Sequence, residues 1–271
     1  LDFEGKTQIP FIGDVPTSED ASTIMQADSR SSSAEALRII RTNLEFMLSK
    51  VPEGIAKTIF LTSTFPKEGK TFVSVNLAAT FALSGKKVLL IGMDIRNPRL
   101  DEYLMMPERG VTNYLSTKDL SLDDLIVKQN GYENFYILPA GVIPPNPAEL
   151  LMSESMAEMI EELKQKYDYI ILDTPPVGLV SDALELAHFC DATLYVTRQG
   201  FTKRGMLSVV NEKHKRGELH NISILFNDFQ NKAKYGYGYG YGYGYGAYGE
   251  GYHDDKVEPK GWKKILNRLK K

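Results

Sequence analysis

Cysteine is nearly absent from this chain, which has Cys190 alone, and so is tryptophan, with Trp262 alone. A lone cysteine excludes an internal disulfide framework, a thiolate zinc site and a cysteine-ligated cluster, and it suits a reducing compartment. Cys190 itself reads as a small buried apolar residue. The four histidines, His188, His214, His220 and His253, fall at no metal-ligand spacing. No run of 18 apolar residues occurs, so nothing here has the length of a membrane span, and no signal-peptide pattern is present. Excess charge is also lacking. The formal net charge of −3 provides no basic field, so no nucleic-acid partner is expected.

What is present is ordinary globular material: 42% hydrophobic and 25% charged residues over 271 positions. That is enough for one α/β domain of roughly 200–230 residues plus tails. The chain begins at Leu1 rather than Met, as a piece of something longer would. Residues 1–30 are polar and contain proline; their one apolar knot, 9–16, predicts a linker that ends by clinging to a surface. Ser32-Ser33-Ala34-Glu35 reads as a capping box opening a helix over 33–49, where Leu37, Ile40, Leu44, Met47 and Leu48 recur at helical spacing. From there strand and helix alternate. Apolar runs at 58–62, 87–91, 135–138, 169–172, 192–196 and 222–226 predict six strands. Helices are predicted at 70–83, 122–127, 147–166, 182–189 and 203–215. Runs without in/out alternation predict strands covered on both faces, hence an α/β fold with a doubly wound, mostly parallel sheet.

After Gln230 the composition changes abruptly. Of the 15 tyrosines, eight fall in a glycine-rich stretch: Tyr235, Tyr237, Tyr239, Tyr241, Tyr243, Tyr245, Tyr248 and Tyr252. Glycine has the most conformational entropy to lose, so this tail is expected to be disordered. In the final dozen residues Trp262, Ile265, Leu266 and Leu269 share one helical face and lysines and arginine fill the other. That pattern fits either contact with an anionic membrane surface or a solubilising end.

The run 58–62 leads into Ser63-Thr64-Phe65-Pro66-Lys67-Glu68-Gly69-Lys70-Thr71, which opens a helix. Gly69-Lys70-Thr71 at a strand-to-helix turn is the core of a phosphate loop. The turn from Pro66 through Phe72, by its backbone N–H groups from Lys67 onward and the helix N-terminus, would hold phosphate oxygens, Lys70 would reach the β- and γ-phosphates, and Thr71 would ligate Mg²⁺. Thr64 stands where the usual first glycine would be, and an ordinary βα turn with a solvated lysine is the rival reading. Two carboxylates tip the balance. Asp94 follows the apolar run 87–91, and Asp173 ends the run 169–172. Ligands of open parallel sheets bind outside such strand ends, where an aspartate serves a phosphate-bound magnesium. Arg96 either makes a structural ion pair or reaches phosphate. Lys67 either faces solvent or touches phosphate. Asn227 follows the last strand, where a base could be read.

These residues together resemble the bacterial tyrosine kinases of capsule and exopolysaccharide export, which share their fold with the MinD/ParA-like P-loop ATPases. Ser63–Thr71 is similar to that family's Walker A segment, Gly92-Met93-Asp94-Ile95-Arg96 to its Walker A′ and 170–176 to its Walker B. Glu35, Arg38 and Arg41 match its E-x-x-R-x-x-R oligomerisation motif, and the Tyr/Gly tail looks like its autophosphorylation cluster. The family's Walker A′ carries two aspartates; here the first is Gly92 and only Asp94 remains.

The resemblance implies an ATP- and Mg²⁺-dependent tyrosine autokinase on the cytoplasmic side of the bacterial inner membrane. Lys70, Asp94 and Asp173 would be catalytic, and Thr71, Asp94 and Asp173 would serve the metal. Its partners would be copies of itself in a ring, each tail in a neighbour's site, a covalently preceding membrane domain and a tyrosine phosphatase. The corresponding organisation is a juxtamembrane linker (1–30), a kinase domain (31–230), a tyrosine tail (231–253) and a basic amphipathic end (254–271). Rival functions are a MinD/ParA-like ATPase without kinase activity, a catalytically impaired interaction module, and a phosphate-loop enzyme with a small-molecule substrate.

Overall fold

The computed structural model describes residues 5–18, 20, 22 and 24–230. The expectations for the tyrosine tail and the basic C-terminal end lie outside the described residues. In chain order the elements are β1 (Phe11–Pro16), α1 (Ser32–Met47), β2 (Lys57–Ser63), α2 (Lys70–Leu83), β3 (Val88–Gly92), α3 (Val111–Ser116), α4 (Leu122–Leu125), β4 (Val127–Lys128), β5 (Phe135–Leu138), α5 (Pro147–Leu151), α6 (Glu154–Lys164), β6 (Tyr169–Asp173), β7 (Ala192–Arg198), α7 (Leu207–Lys215) and β8 (Ile222–Phe229), with a 3₁₀ segment at Asp182–Phe189. The eight strands form one sheet in the order β1-β8-β7-β2-β6-β3-β5-β4. Every pairing is parallel except that of β4 with β5.

Alternate side chains of each central strand supply a core on opposite faces, because successive strand residues point opposite ways. On β2, Phe60 joins α6 residues Met156, Met159, Ile160 and Leu163 on one face. Ile59 and Leu61 join α1 and α2 residues Leu37, Ile40, Leu44, Val73, Leu77 and Phe81 on the other. Both faces are apolar, so β3 and β6 are buried along their whole length. The apolar run rather than an alternating one was therefore the right strand signal. Because the strands run parallel, their C-terminal ends share one edge of the sheet, where the loops after β2, β3, β6 and β7 converge.

Several expectations are corrected. The cap of α1 is Ser31, whose hydroxyl accepts from the Ala34 N–H, rather than the box at 32–35. The long helix predicted over 147–166 divides into α5 and α6, because the Ser153 hydroxyl accepts from the Met156 N–H and starts a second helix. The helix predicted over 122–127 stops at Leu125, and Val127 and Lys128 turn into β4. The segment 182–189 winds as 3₁₀ rather than α helix. The stretch expected to be a linker contributes β1, which pairs in parallel with β8. Gly13 lets α1 cross β1 closely, since a Cβ there would lie 2.8 Å from Ile40 Cγ1.

Candidate active site

β2 lies between β7 and β6, and β3 lies beyond β6. The loop after β2 therefore stands beside the ends of the two strands that carry the aspartates. α2 opens at Lys70 behind Gly69, which is left-handed with φ 88° and offers no side-chain cap. A side chain at Gly69 is doubly excluded: beyond the backbone strain, its Cβ would lie 1.9 Å from Asn227 Nδ2. The free N–H groups of the first turn of α2 are therefore left for an anion, with the positive end of the helix dipole behind them.

The predicted residues meet here. Lys70 Nζ donates to Asp173 Oδ1 at 2.8 Å, and the Thr71 hydroxyl donates to Asp173 Oδ2 at 3.3 Å. Lys70 and Asp173 are 8% and 2% exposed, so this ion pair is out of water. The Met93 N–H donates to the Asp173 carbonyl at 2.9 Å, locking the end of β3 against the end of β6. Asp94 follows directly, and its Oδ1 accepts from the Asn97 N–H at 3.0 Å. Burial holds the Asp94 carboxyl above the usual carboxylate range; Lys70 and two backbone N–H groups oppose that rise, and the Asp173 charge adds to it. Gly92 is where a bulky residue does not fit, since a Cβ would lie 2.9 Å from the Ala140 backbone nitrogen and 3.1 Å from Leu100 Cδ1.

The remaining loop residues divide by role. Pro66 and Lys67 are exposed, with Lys67 left-handed at φ 71°. Glu68 is wholly buried and points away from solvent, accepting from the Phe65 N–H at 2.9 Å and from the Thr202 hydroxyl. Among the Pro66–Phe72 residues expected to touch phosphate, Glu68 thus offers only its backbone. Asn227, expected near a base, spends its amide N–H on the Glu68 carbonyl at 3.2 Å. Arg96 pairs with Asp182, whose Oδ1 is buried without a partner, so the structural reading of Arg96 fits this arrangement. Arg38 pairs with Glu35 and donates to the Ser29 carbonyl at 2.7 Å, whereas Arg41 Nε is buried and unpartnered.

Sequence reasoning missed Tyr195, Thr202 and Arg198, which brace the loop. Tyr195 Oη and the Thr64 hydroxyl lie 2.6 Å apart. A cis-acting motif search cannot see them, because they lie more than 120 residues further along the chain.

The donor set fits Mg²⁺ with a nucleotide triphosphate. A hydroxyl and two carboxylates are hard oxygen donors. Among the described residues no three His, Cys, Asp or Glu side chains are grouped to hold a metal alone. Such an incomplete shell suits Mg²⁺, which keeps waters and shares substrate phosphates.

The comparisons with known proteins agree with this geometry. Residues 57–212 match the AAA domain family. Tyrosine-protein kinase CpsD of Streptococcus pneumoniae is 38% identical over 185 residues, 66% of this chain and 80% of that protein. The solved kinase domain of the Escherichia coli tyrosine kinase ETK is 30% identical with a TM-score of 0.72, covering 86% of this chain and 95% of that one. The Pyrococcus horikoshii septum site-determining protein MinD, solved with Mg-ADP, shares the fold at a TM-score of 0.53, with 24% identity over 66% of this chain and 73% of that one. The fold and site define a protein of the P-loop class. Within it, the chain belongs to the bacterial protein-tyrosine kinases.

Proposed function

We propose that the chain transfers the γ-phosphoryl group of ATP to its own C-terminal tyrosines, Tyr235, Tyr237, Tyr239, Tyr241, Tyr243, Tyr245, Tyr248 and Tyr252, and thereby regulates capsule or exopolysaccharide synthesis and export. The observation that carries this reading is the buried Lys70–Asp173–Thr71 cluster beneath the uncapped N-terminus of α2. Lys70 and the backbone N–H groups from Lys67 to Phe72, presented by the turn that begins at Pro66, hold the phosphates. Thr71, Asp94 and Asp173 hold Mg²⁺, which when bound neutralises charge on the transferred group. Phosphoryl transfer is mostly positioning and charge stabilisation, so these groups supply the larger part of catalysis.

A free tyrosine hydroxyl titrates near 10. As the phenol oxygen bonds to phosphorus, the bond to the ADP leaving oxygen breaks and the phenol proton passes to an oxygen of the site that is not holding the metal. Gly beside each tail tyrosine removes side-chain clashes, so many registers can thread one site. The tail of one subunit enters a neighbour's site in a ring held by Glu35, Arg38 and Arg41, of which Glu35 is exposed and the two arginines half-buried on α1. A covalently preceding membrane domain places this assembly at the inner membrane, and a tyrosine phosphatase reverses the modification.

One observation favours a second reading. Gly92 leaves the Walker A′ segment with a single carboxylate, as an ATPase without protein substrates would tolerate. Incubating the full chain with labelled ATP and Mg²⁺, followed by mass spectrometry of the tail, separates the two. Phosphotyrosine across 235–252 is the expected result; ATP hydrolysis with an unmodified tail would replace the autokinase reading with the ATPase one.

A further inference from the structure

We propose that Arg198 and Asp228 are positioning residues for the phosphate loop, and that Thr17 ties the end of the N-terminal strand into the same strut. Arg198 closes β7. Its Nη1 donates to the Lys67 carbonyl at 2.9 Å. Its Nε donates to Asp228 Oδ2 at 2.9 Å, and its Nη2 meets the same oxygen at 2.9 Å. The other Asp228 oxygen accepts from the Thr17 hydroxyl at 2.7 Å. Beside this bridge the Asn227 amide donates to the Glu68 carbonyl at 3.2 Å.

The consequence follows from peptide geometry. In a trans peptide the carbonyl of one residue and the N–H of the next point in opposite directions. Arg198 and Asn227 draw the carbonyls of Lys67 and Glu68 towards β7 and β8. The N–H groups of Glu68 and Gly69 are thereby turned the other way, as a loop that cradles phosphate requires. The two residues that the guanidinium bridges, Lys67 at φ 71° and Asp228 at φ 57°, are both left-handed non-glycines. That conformation is disfavoured for such residues and persists where the surroundings impose it. Arg198 supplies the imposition with a planar fork that spans both partners, which an ammonium cannot reproduce.

Two chain ends converge on this strut. The Thr17 N–H donates to the Phe229 carbonyl at 3.2 Å, so the exit of β1 is fastened to the end of β8. The Gln230 N–H donates to Gln199 Oε1 at 2.5 Å, one residue beyond Arg198. The N-terminal strand, the last described residue before the tyrosine tail and the phosphate loop are thus parts of one hydrogen-bonded unit.

This inference rests on the nucleotide-binding reading, and its test keeps the two apart. The dissociation constant of a fluorescent ATP analogue with Mg²⁺ is titrated on the full chain, with kcat measured at saturating ATP and folding checked by thermal melting. Arg198→Met is expected to weaken binding about tenfold, the scale of a lost charge-assisted hydrogen bond, with kcat at saturation within about twofold. Arg198→Lys does not restore affinity. Thr17→Val weakens binding a few-fold while Thr17→Ser binds as the unaltered chain does. Adding Thr17→Val to Arg198→Met changes nothing more, because the path is already cut. A folded Arg198→Met that binds within twofold of the unaltered chain overturns the proposal. If Arg198→Met does not fold, equal affinities of Thr17→Val and Thr17→Ser overturn it. An unaltered chain that binds no analogue removes the nucleotide reading, and this inference with it.

Discussion

Lys70 and Asp173 answer each other's charge inside the protein, and this makes the standard loss-of-function substitution less innocent than it looks. Removing one partner of a buried ion pair leaves the other uncompensated, at a cost of roughly 3–5 kcal/mol. Lys70→Met is therefore expected both to abolish tail phosphorylation and to lower the melting temperature. Adding Asp173→Asn should recover much of the stability but none of the activity. Calorimetry of the two variants checks this; a double variant no more stable than Lys70→Met would show that the pair does not govern stability. Asp94 predicts the opposite sign. Its folded-state carboxyl is raised above 3.8 chiefly by burial. Its ionisation thus opposes folding: the stability it contributes is complete below the unfolded carboxylate pKa and is lost as pH rises through the raised one. Asp94→Asn should make the metal-free protein at pH 7 at least as stable as the unaltered chain, at about 2–4 °C in melting temperature per kcal/mol gained. It should also end Mg²⁺-dependent transfer. A destabilised, active Asp94→Asn protein would remove Asp94 from the site.

At the scale of elements, the ends of β2, β3 and β6 decide which residues can act. Gly92 closes β3 against the Ala140 backbone nitrogen and Leu100, at the 2.9 Å and 3.1 Å a Cβ would reach. Restoring the carboxylate that the family's Walker A′ carries, by Gly92→Asp, should cost about 1–3 kcal/mol through overpacking and should not raise the rate of phosphorylation. A Gly92→Asp protein that melts as the unaltered chain does and phosphorylates faster would mean that the segment after β5, at Ala140, yields readily. The carboxylate proposed to serve the metal sits two residues on, at Asp94, where the chain has left the sheet.

At the scale of the whole molecule, a fully phosphorylated tail would outweigh the net charge of the rest of the chain. Each phosphotyrosine adds roughly −1.5 to −2 at pH 7. Eight sites therefore add on the order of −12 to −16 to a chain whose net charge is −3. A tail so charged is repelled from a site already holding phosphate, so modified tails should leave and subunits linked through them should separate. Sedimentation of the unmodified and fully phosphorylated protein at equal concentration tests this. The difference should shrink with salt, because screening acts over about 8 Å at physiological ionic strength. Identical sedimentation at low and moderate salt would make the tail a signal rather than a tether.

The linear sequence determined the central strands, α2 to the residue, and the three segments that converge on the phosphate loop. Each is written in short-range pattern: apolar runs that need cover on both faces, a Gly-Lys-Thr turn, and an aspartate closing a strand. The tertiary structure alone decided what depends on partners distant in the chain. β1 carries too little apolar sequence to declare itself and becomes a strand only because β8 offers an open parallel edge. Arg198 looks like any charged residue at a strand end until the fold brings it to the Lys67 carbonyl, 131 residues away. Gly92 reads as a missing acid, and only the closeness of Ala140 shows that the space for one is gone. Periodicity and turn chemistry act within a few residues and are legible along the chain; close approach and hydrogen-bond orientation belong to pairs that only folding creates.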